Sequence, residues 1–197
     1  GGVLKSNGDT RMILNLNLSV NPLLRNADTF ALPFIDAETE IPPGNTYFAV
    51  LDLAAGFWNI GVRPEDQHKL SITWNNEVLC FTRLPFGLKT SGHLFCRAIN
   101  HALRGMKYRD QCKAFVDDVL VYASSFDTFL ATLDELLFAL TEHGFIVGGK
   151  KVFLLYPQVK WLGRLISSQG QTVDPENVKT ILEMKAPRSD ARHRKID

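Results

Sequence analysis

Apolar positions change their spacing along the chain, and each change predicts an element. In VLKSNGDTRMIL two short apolar runs flank a Ser-Asn-Gly-Asp turn, which predicts a hairpin. The stretch 21–45 is polar and punctuated by proline. TYFAVLDLAAGF reads as a buried strand over Tyr47–Leu53 that ends at a glycine turn. KLSITWNNEVLCFTRL alternates around Asn75-Asn76 and predicts a second hairpin. From Ser91 to Leu103 the apolar residues Leu94, Phe95, Ala98, Ile99, Ala102 and Leu103 recur at helical spacing. AFVDDVLVYAS reads as strand, tight turn, strand. DTFLATLDELLFALTEHG is an amphipathic helix with Leu130, Leu133, Leu137 and Leu140 on one stripe and Gly144 as its stop. VKWLGRLI with its Ser-Gln-Gly turn predicts another hairpin. Asp174-Pro175-Glu176 starts a helix, with Asp as cap and Pro in the first turn.

Counted from Tyr47, the order is strand, helix, strand, strand, helix, strand. That is the ferredoxin-like βαββαβ order of an α+β fold. It brings Asp52, at the end of the first strand, beside the Asp117-Asp118 turn between the next two.

Composition narrows the classes. The chain has 197 residues, 45% hydrophobic and 22% charged, as in an ordinary globular protein. No apolar run reaches the ~20 residues that span a membrane, so a membrane partner is not expected. Cys80, Cys96 and Cys112 form no CxxC pair. That scattered, odd count favours reduced thiols and an intracellular setting. The net charge is +1, so nucleic acid binding requires a local patch. The chain opens in a strand entry and ends in a basic tail, APRSDARHRKID, without a terminal core element, and reads as a piece of something longer.

The chemistry concentrates at Asp52, Asp117 and Asp118. Carboxylates beside an apolar run are costly to desolvate unless a cation compensates them. Clustered Asp residues and substrate phosphates bind hard divalent cations. A two-metal site, its ions ~3.5–4 Å apart, clamps the attacking and leaving oxygens of an in-line phosphoryl displacement. Asp52 and Asp117 then bridge two Mg²⁺ or Mn²⁺ ions, and Asp118 supports them. Asp is also common in plain turns, and the dipeptide alone fits one equally well. The apolar strands on both sides and the third Asp at a strand end shift the balance to metal.

LDLAAGFWNI, LPFGLKTSGHLF, FVDDVLVYAS and VKWLGRLI stand in the order and spacing of reverse transcriptases. The chain resembles those of gypsy-type LTR retrotransposons and retroviruses, from the VLKSNGDTRM hairpin to TVDPENVKTIL. The resemblance implies a right-hand polymerase, of which the chain holds part of the fingers and the palm. It divides the chain into partial fingers at 1–46, palm at 47–70, a fingers/palm hairpin and loop at 71–89, palm at 90–166, and the start of a thumb or connecting segment at 167–197.

Position by position, Asp52, Asp117 and Asp118 match the family's catalytic carboxylates. The Asp pair usually follows Tyr-x; here it follows Phe115-Val116, which keeps the ring, loses its hydroxyl, and lies against template–primer and nucleotide. Phe57 matches the aromatic gate that abuts the sugar of the incoming dNTP; plain core packing is its alternative. Lys5 and Arg11 match fingers cations that hold the triphosphate, Arg as a fork and Lys as a point charge. Leu84 to Lys89, with Phe86 and Lys89, matches the loop that borders the nucleotide. Trp161-Leu162-Gly163 matches the primer grip, a turn whose glycine lets backbone approach the primer strand. Lys150-Lys151 and the Arg192–Lys195 cluster are further candidates for phosphate contact, or solvated surface.

One departure stands out. The family usually carries an acidic and a basic residue after the fingers Arg, in a pattern like Asp-Tyr-Arg-x-Leu-Asn, whereas this chain reads NLNLSVN over Asn15–Asn21. The implied activity is templated DNA synthesis on an RNA or DNA template–primer, in a cytoplasmic particle or the nucleus, with RNase H and integrase as candidate neighbours in one polyprotein. The alternative is a domesticated, inactive domain of the same fold that serves as a structural or nucleic-acid-binding part of an assembly. An RNA-dependent RNA polymerase shares the palm and is disfavoured by Phe57, because such enzymes must accept a 2′-hydroxyl.

Overall fold

The computed structural model describes residues 2–4, 8, 10–12, 14–17, 19–24, 35–149 and 152–184. The N-terminal pattern closes as expected: β1 (Gly2–Leu4) pairs antiparallel with β2 (Thr10–Met12), Val3 opposite Arg11. The polar, proline-punctuated stretch contains a short helix, α1 (Ile35–Thr39). Next comes β3 (Tyr47–Ala54), in which Phe48, Ala49, Val50, Leu51 and Leu53 are buried and Asp52 is half-buried. That burial explains why the strand reads as a continuous apolar run without alternation: both of its faces are covered.

After a short helical turn, α2 (Pro64–Gln67), the chain forms the hairpin of β4 (Ser71–Trp74) and β5 (Glu77–Cys80). The helix α3 (Ser91–Leu103) has the expected boundaries. The strands β6 (Cys112–Phe115) and β7 (Asp118–Ala123) flank a two-residue turn, Val116–Asp117; the turn expected at Asp117-Asp118 lies one residue earlier, because Asp118 pairs with Phe115 and opens β7. The helix α4 (Phe126–Glu142) is capped by Ser125, whose Oγ accepts the Thr128 N–H at 3.2 Å. It stops at Gly144 as expected, where the Phe145 N–H bonds back to the Leu140 carbonyl.

Two short strands follow, β8 (Ile146–Val147) and β9 (Phe153–Tyr156). The central sheet runs β6-β7-β3, with β8 and β9 both pairing the far side of β3. This is the ferredoxin-like order, all antiparallel, with its fourth position split between two strands. The expected last hairpin is a three-stranded meander of β10 (Gln158–Trp161), β11 (Arg164–Ser167) and β12 (Gly170–Val173). It leads into α5 (Pro175–Glu183), where Asp174 Oδ1 accepts the Glu176 N–H at 3.0 Å, the expected cap.

The two faces of the central sheet bury different partners. Ala49, Leu51, Leu53, Val119 and Val121 pack with Phe95, Ile99 and Leu103 of α3 and Phe129, Leu136 and Leu140 of α4. Phe48, Val50, Leu120 and Tyr122 face the meander and pack with Val159, Trp161 and Ile166. Burying one such large side chain contributes about 1.5–3 kcal/mol, so both faces matter. The leucine stripe of α4 differs from the expectation: Leu130 and Leu137 are 45% and 39% exposed. The helix is rotated so that Phe129, Thr132 and Leu136 point inward with Leu140, because the Phe129 ring buries more surface than a leucine in that place. Among the described residues no helix is long and apolar enough to cross a membrane.

Candidate active site

Register places two of the three carboxylates. Asp52 on β3 lies directly opposite Asp118 on β7, and Asp118 lies opposite Phe115 on β6. Directly opposed residues of antiparallel strands share a face, here the face of Phe48 and Val50 that the meander covers further along. Gly148 closes the row on the other side, its N–H bonding the Asp52 carbonyl at 2.7 Å. A Cβ on Gly148 would sit 3.3 Å from Asp52 Oδ2, so a side chain there would crowd the carboxylate. Like charges directly opposed across strands destabilise a sheet. Pairing Asp with Asp is therefore costly without a cation.

The third carboxylate sits on the turn. Val116 has φ 51°, a left-handed conformation that a β-branched residue rarely adopts. The turn is pinned by the Leu53 N–H, which donates to the Asp117 carbonyl at 2.7 Å. The Asp117 carboxylate lies over Gly56, itself at φ 43°, whose missing Cβ would fall 3.4 Å from Oδ2. Its Oδ1 is buried. Beneath the turn, burial raises the pKa of the Cys96 thiol; the Val116 backbone N–H opposes that shift and the Asp117 charge adds to it.

Among the described residues no three His, Cys, Asp or Glu side chains are already drawn into a metal cage. The donor set nevertheless suits a hard cation. Two opposed carboxylates and a third on the adjoining turn are flanked by glycines that leave their oxygens room. Magnesium is commonly held by one or two carboxylates plus substrate phosphates, with no complete protein cage.

On the other side of Gly56 stands the aromatic group. Phe57 is half-buried, with its ring 5.1 Å from Phe86 and 5.6 Å from the fully buried Phe95. It thus joins the core at one edge and the expected nucleotide loop at the other. Its backbone is braced by Asn59, whose Nδ2 donates to the Ala54 and Gly56 carbonyls at 2.8 and 2.9 Å. Phe86 is 38% exposed, and the Lys89 side chain is exposed. Lys5, Lys150, Lys151 and the Arg192–Lys195 cluster lie outside the described residues, as does the side chain of Arg11.

The expected primer side is split by burial. Trp161 is 2% exposed and its indole N–H donates to the Glu38 carbonyl at 3.0 Å, so the ring ties the meander to α1. What remains on the surface is the two-residue turn Leu162–Gly163, with φ of 48° and 77°. The Gly163 carbonyl accepts from Asp174 N at 3.2 Å and Asn177 Nδ2 at 3.3 Å, which anchors the turn to the start of α5. The Glu176 N–H and Lys160 hold the Asp174 carboxyl below its usual range. Phe115 and Leu162 both pack on the cluster under the meander, so the Val116–Asp117 turn and the Leu162–Gly163 turn adjoin one apolar floor.

Sequence reasoning did not single out Gly148, Asn59 or Asn21. A glycine pair at Gly148-Gly149 is a visible signal, but its partner Asp52 becomes apparent only through strand register.

The sequence model of the family described as reverse transcriptase (RNA-dependent DNA polymerase) matches residues 3–166, a span that includes all three carboxylates and the Leu162–Gly163 turn. The chain belongs to the reverse transcriptase family. A retrovirus-related Pol polyprotein from transposon opus of Drosophila melanogaster is 31% identical over 94% of this chain and 18% of its own length. That from transposon gypsy of the same fly is 32% identical over 72% of this chain and 14% of its own. The chain therefore spans under a fifth of these relatives. A foamy viral protease–reverse transcriptase in complex with double-stranded DNA has TM-score 0.85 and 27% identity, over 95% of this chain and 32% of that one. Another, in complex with an RNA/DNA hybrid, has TM-score 0.81 and 26% identity, over 95% and 25%. The fold of this member of the reverse transcriptase family is thus α+β, and its relatives belong to the LTR-retrotransposon and retroviral group.

Proposed function

We propose that this chain carries the nucleotidyl-transfer centre of an RNA-directed DNA polymerase. The primer 3′-hydroxyl attacks the α-phosphate of a dNTP, the P–O bond to pyrophosphate breaks, and the nucleotide joins the primer. The observation that carries the reading is the register that opposes Asp52 to Asp118, with Asp117 on the adjoining turn. Asp52 and Asp117 would hold two Mg²⁺ or Mn²⁺ ions, with Asp118 in support. When bound, such ions neutralise charge on the phosphates and on the attacking and leaving oxygens.

The rest of the work is positioning, the larger share of catalysis in phosphoryl transfer. Phe57 limits the space beside the sugar, backed by Phe86 and Phe95. Lys5, Arg11 and Lys89 contact the triphosphate. The Leu162–Gly163 backbone, with Phe115 and Val116, guides the template–primer. The division into fingers, palm and thumb segments stands with this reading, as do RNase H and integrase neighbours in one intracellular polyprotein.

The second reading, an inactive nucleic-acid-binding domain, draws on NLNLSVN, which lacks the charges usual there. Primer extension by a polypeptide carrying this chain separates the two. Extension by dNTPs on an RNA template that requires Mg²⁺ or Mn²⁺ and stops with chelator is the expected result. Binding of template–primer without any extension would sink the polymerase reading and leave the second.

A further inference from the structure

The segment that lacks the family's charged pair contains a fully engaged amide. Asn21 is 8% exposed. Its Nδ2 donates to the Gly87 carbonyl at 2.9 Å and to Asn17 Oδ1 at 3.1 Å. Its Oδ1 accepts the Lys89 N–H at 2.9 Å. One primary amide has two N–H donors and one carbonyl, and all three functions are used. Two of the partners are backbone groups on either side of Leu88, so the side chain pairs with the loop as a neighbouring strand would. The Asn21 N–H donates to the Leu16 carbonyl at 3.0 Å, which fixes where the amide stands.

A second contact reinforces the first. Gly87 has φ 98°, and a Cβ there would lie 2.6 Å from the Leu14 carbonyl oxygen. The Leu14 carbonyl therefore lies against the loop at Gly87 while Asn21 holds it at Gly87 and Lys89. From that loop Phe86 reaches Phe57 at 5.1 Å between ring centroids. At its ends the loop is tied by Leu84 N to the Ile60 carbonyl and by Ser91 Oγ to the Pro85 carbonyl.

We propose that Asn21 is a positioning residue for the nucleotide pocket: its amide docks the 84–89 loop onto the fingers segment and so sets where Phe86 and Lys89 meet the incoming dNTP. This rests on the polymerase reading above. It also assigns the NLNLSVN segment a neutral, hydrogen-bonded tie between fingers and loop, made without an ion pair, so it should tolerate high salt.

The test uses Asn21→Leu and Asn21→Asp in a polypeptide carrying the chain, with two readouts. Kinetics give kcat and the dNTP KM at saturating template–primer, and hydrogen exchange gives protection of the Lys89 amide. Asn21→Leu removes both loop bonds and should raise the dNTP KM about tenfold, given what one or two net hydrogen bonds contribute. It should change kcat by less than about twofold, since ground-state positioning is what is lost. The Lys89 amide should exchange faster. Asn21→Asp keeps the acceptor for Lys89 and should fall between wild type and Asn21→Leu. An unchanged KM with unchanged protection overturns the proposal, as does a fall in kcat with KM unmoved. If Asn21→Leu fails to fold, Gly87→Ala probes the same dock from the loop side: its Cβ meets the Leu14 carbonyl, and an unaltered dNTP KM there overturns the proposal. A wild-type polypeptide that adds no nucleotide removes the polymerase reading, and Lys89 exchange in Asn21→Leu then decides the dock alone.

Discussion

The turns at Asn75–Asn76 and Val116–Asp117 each join two antiparallel strands through two residues, and both enter the left-handed region. Asn75 and Asn76 have φ of 48° and 62°, and asparagine tolerates that region because its side chain can hydrogen bond locally. Both are exposed, and their hairpin follows from the local sequence alone. Val116 has φ 51° with a branched Cβ, which the local sequence disfavours. A left-handed conformation costs a non-glycine residue roughly 1–2 kcal/mol. That cost is met by the surroundings: the Leu53 N–H on the Asp117 carbonyl, Gly56 under the carboxylate, and Cys96 beneath the Val116 backbone. Where local preference and tertiary structure disagree, the chain is holding a geometry for another purpose, and here it holds Asp117.

The largest effect is expected at that carboxylate. Asp117→Asn should lower nucleotide addition by several orders of magnitude while the melting temperature stays level or rises, because a like charge near Asp118 is removed. The paired measurement is primer extension and thermal melting of the same protein. Near wild-type extension would make the Val116–Asp117 turn a plain hairpin, no different in kind from Asn75–Asn76.

Phe57 comes next, because Gly56 links it to the same turn. A rigid ring against the sugar excludes an added hydroxyl, and overpacking of that kind costs about 1–3 kcal/mol. That corresponds to roughly ten- to hundredfold selection for dNTP over rNTP. Phe57→Val should narrow the ratio of kcat/KM for a dNTP and its matching rNTP by that factor. It also gives up the ring contacts with Phe86 and Phe95, so some thermal stability should go with it. An unchanged ratio with lowered stability would mark Phe57 as core alone.

Much of the frame is legible in the sequence because it follows from local pattern. The α3 boundaries, the Asn75–Asn76 hairpin, the Asp174 cap and the βαββαβ order all follow from spacing and turn chemistry. The three Asp residues stand out because a carboxylate beside an apolar run requires an explanation. What cannot be read is what depends on register or on long-range approach. The opposition of Asp52 to Asp118 is exact only in the paired strands. Gly148 gains meaning from Asp52, and Asn21 from a loop 66 residues away along the chain. The rotation of α4 was hidden for a related reason: several apolar residues compete for the inward face, and only the sheet decides among them. The burial of Trp161 against Glu38 likewise depends on α1, which the polar stretch 21–45 gave little reason to expect.

The smallest effect tests the comparison itself. Asn76→Val places a branched residue at φ 62°, where the hairpin has little to hold it, since all of Glu77–Cys80 is exposed. The expected cost is about 1–2 kcal/mol, confined to the hairpin. It should appear as faster hydrogen exchange across Ser71–Cys80 with little change in global melting. Val116→Gly is the reverse experiment. Glycine relieves the strain but adds about 0.5–1 kcal/mol of chain entropy to be lost on folding, and it gives up the packing of Val116 on the first core cluster. Stability should therefore change little, while nucleotide addition slows, because a glycine turn no longer confines Asp117 to one position over Gly56. If Asn76→Val leaves the exchange of its hairpin unchanged, the Asn75–Asn76 turn is held by more than its own residues. If Val116→Gly matches wild type in both melting and rate, the strain at Val116 has no part in placing the carboxylate.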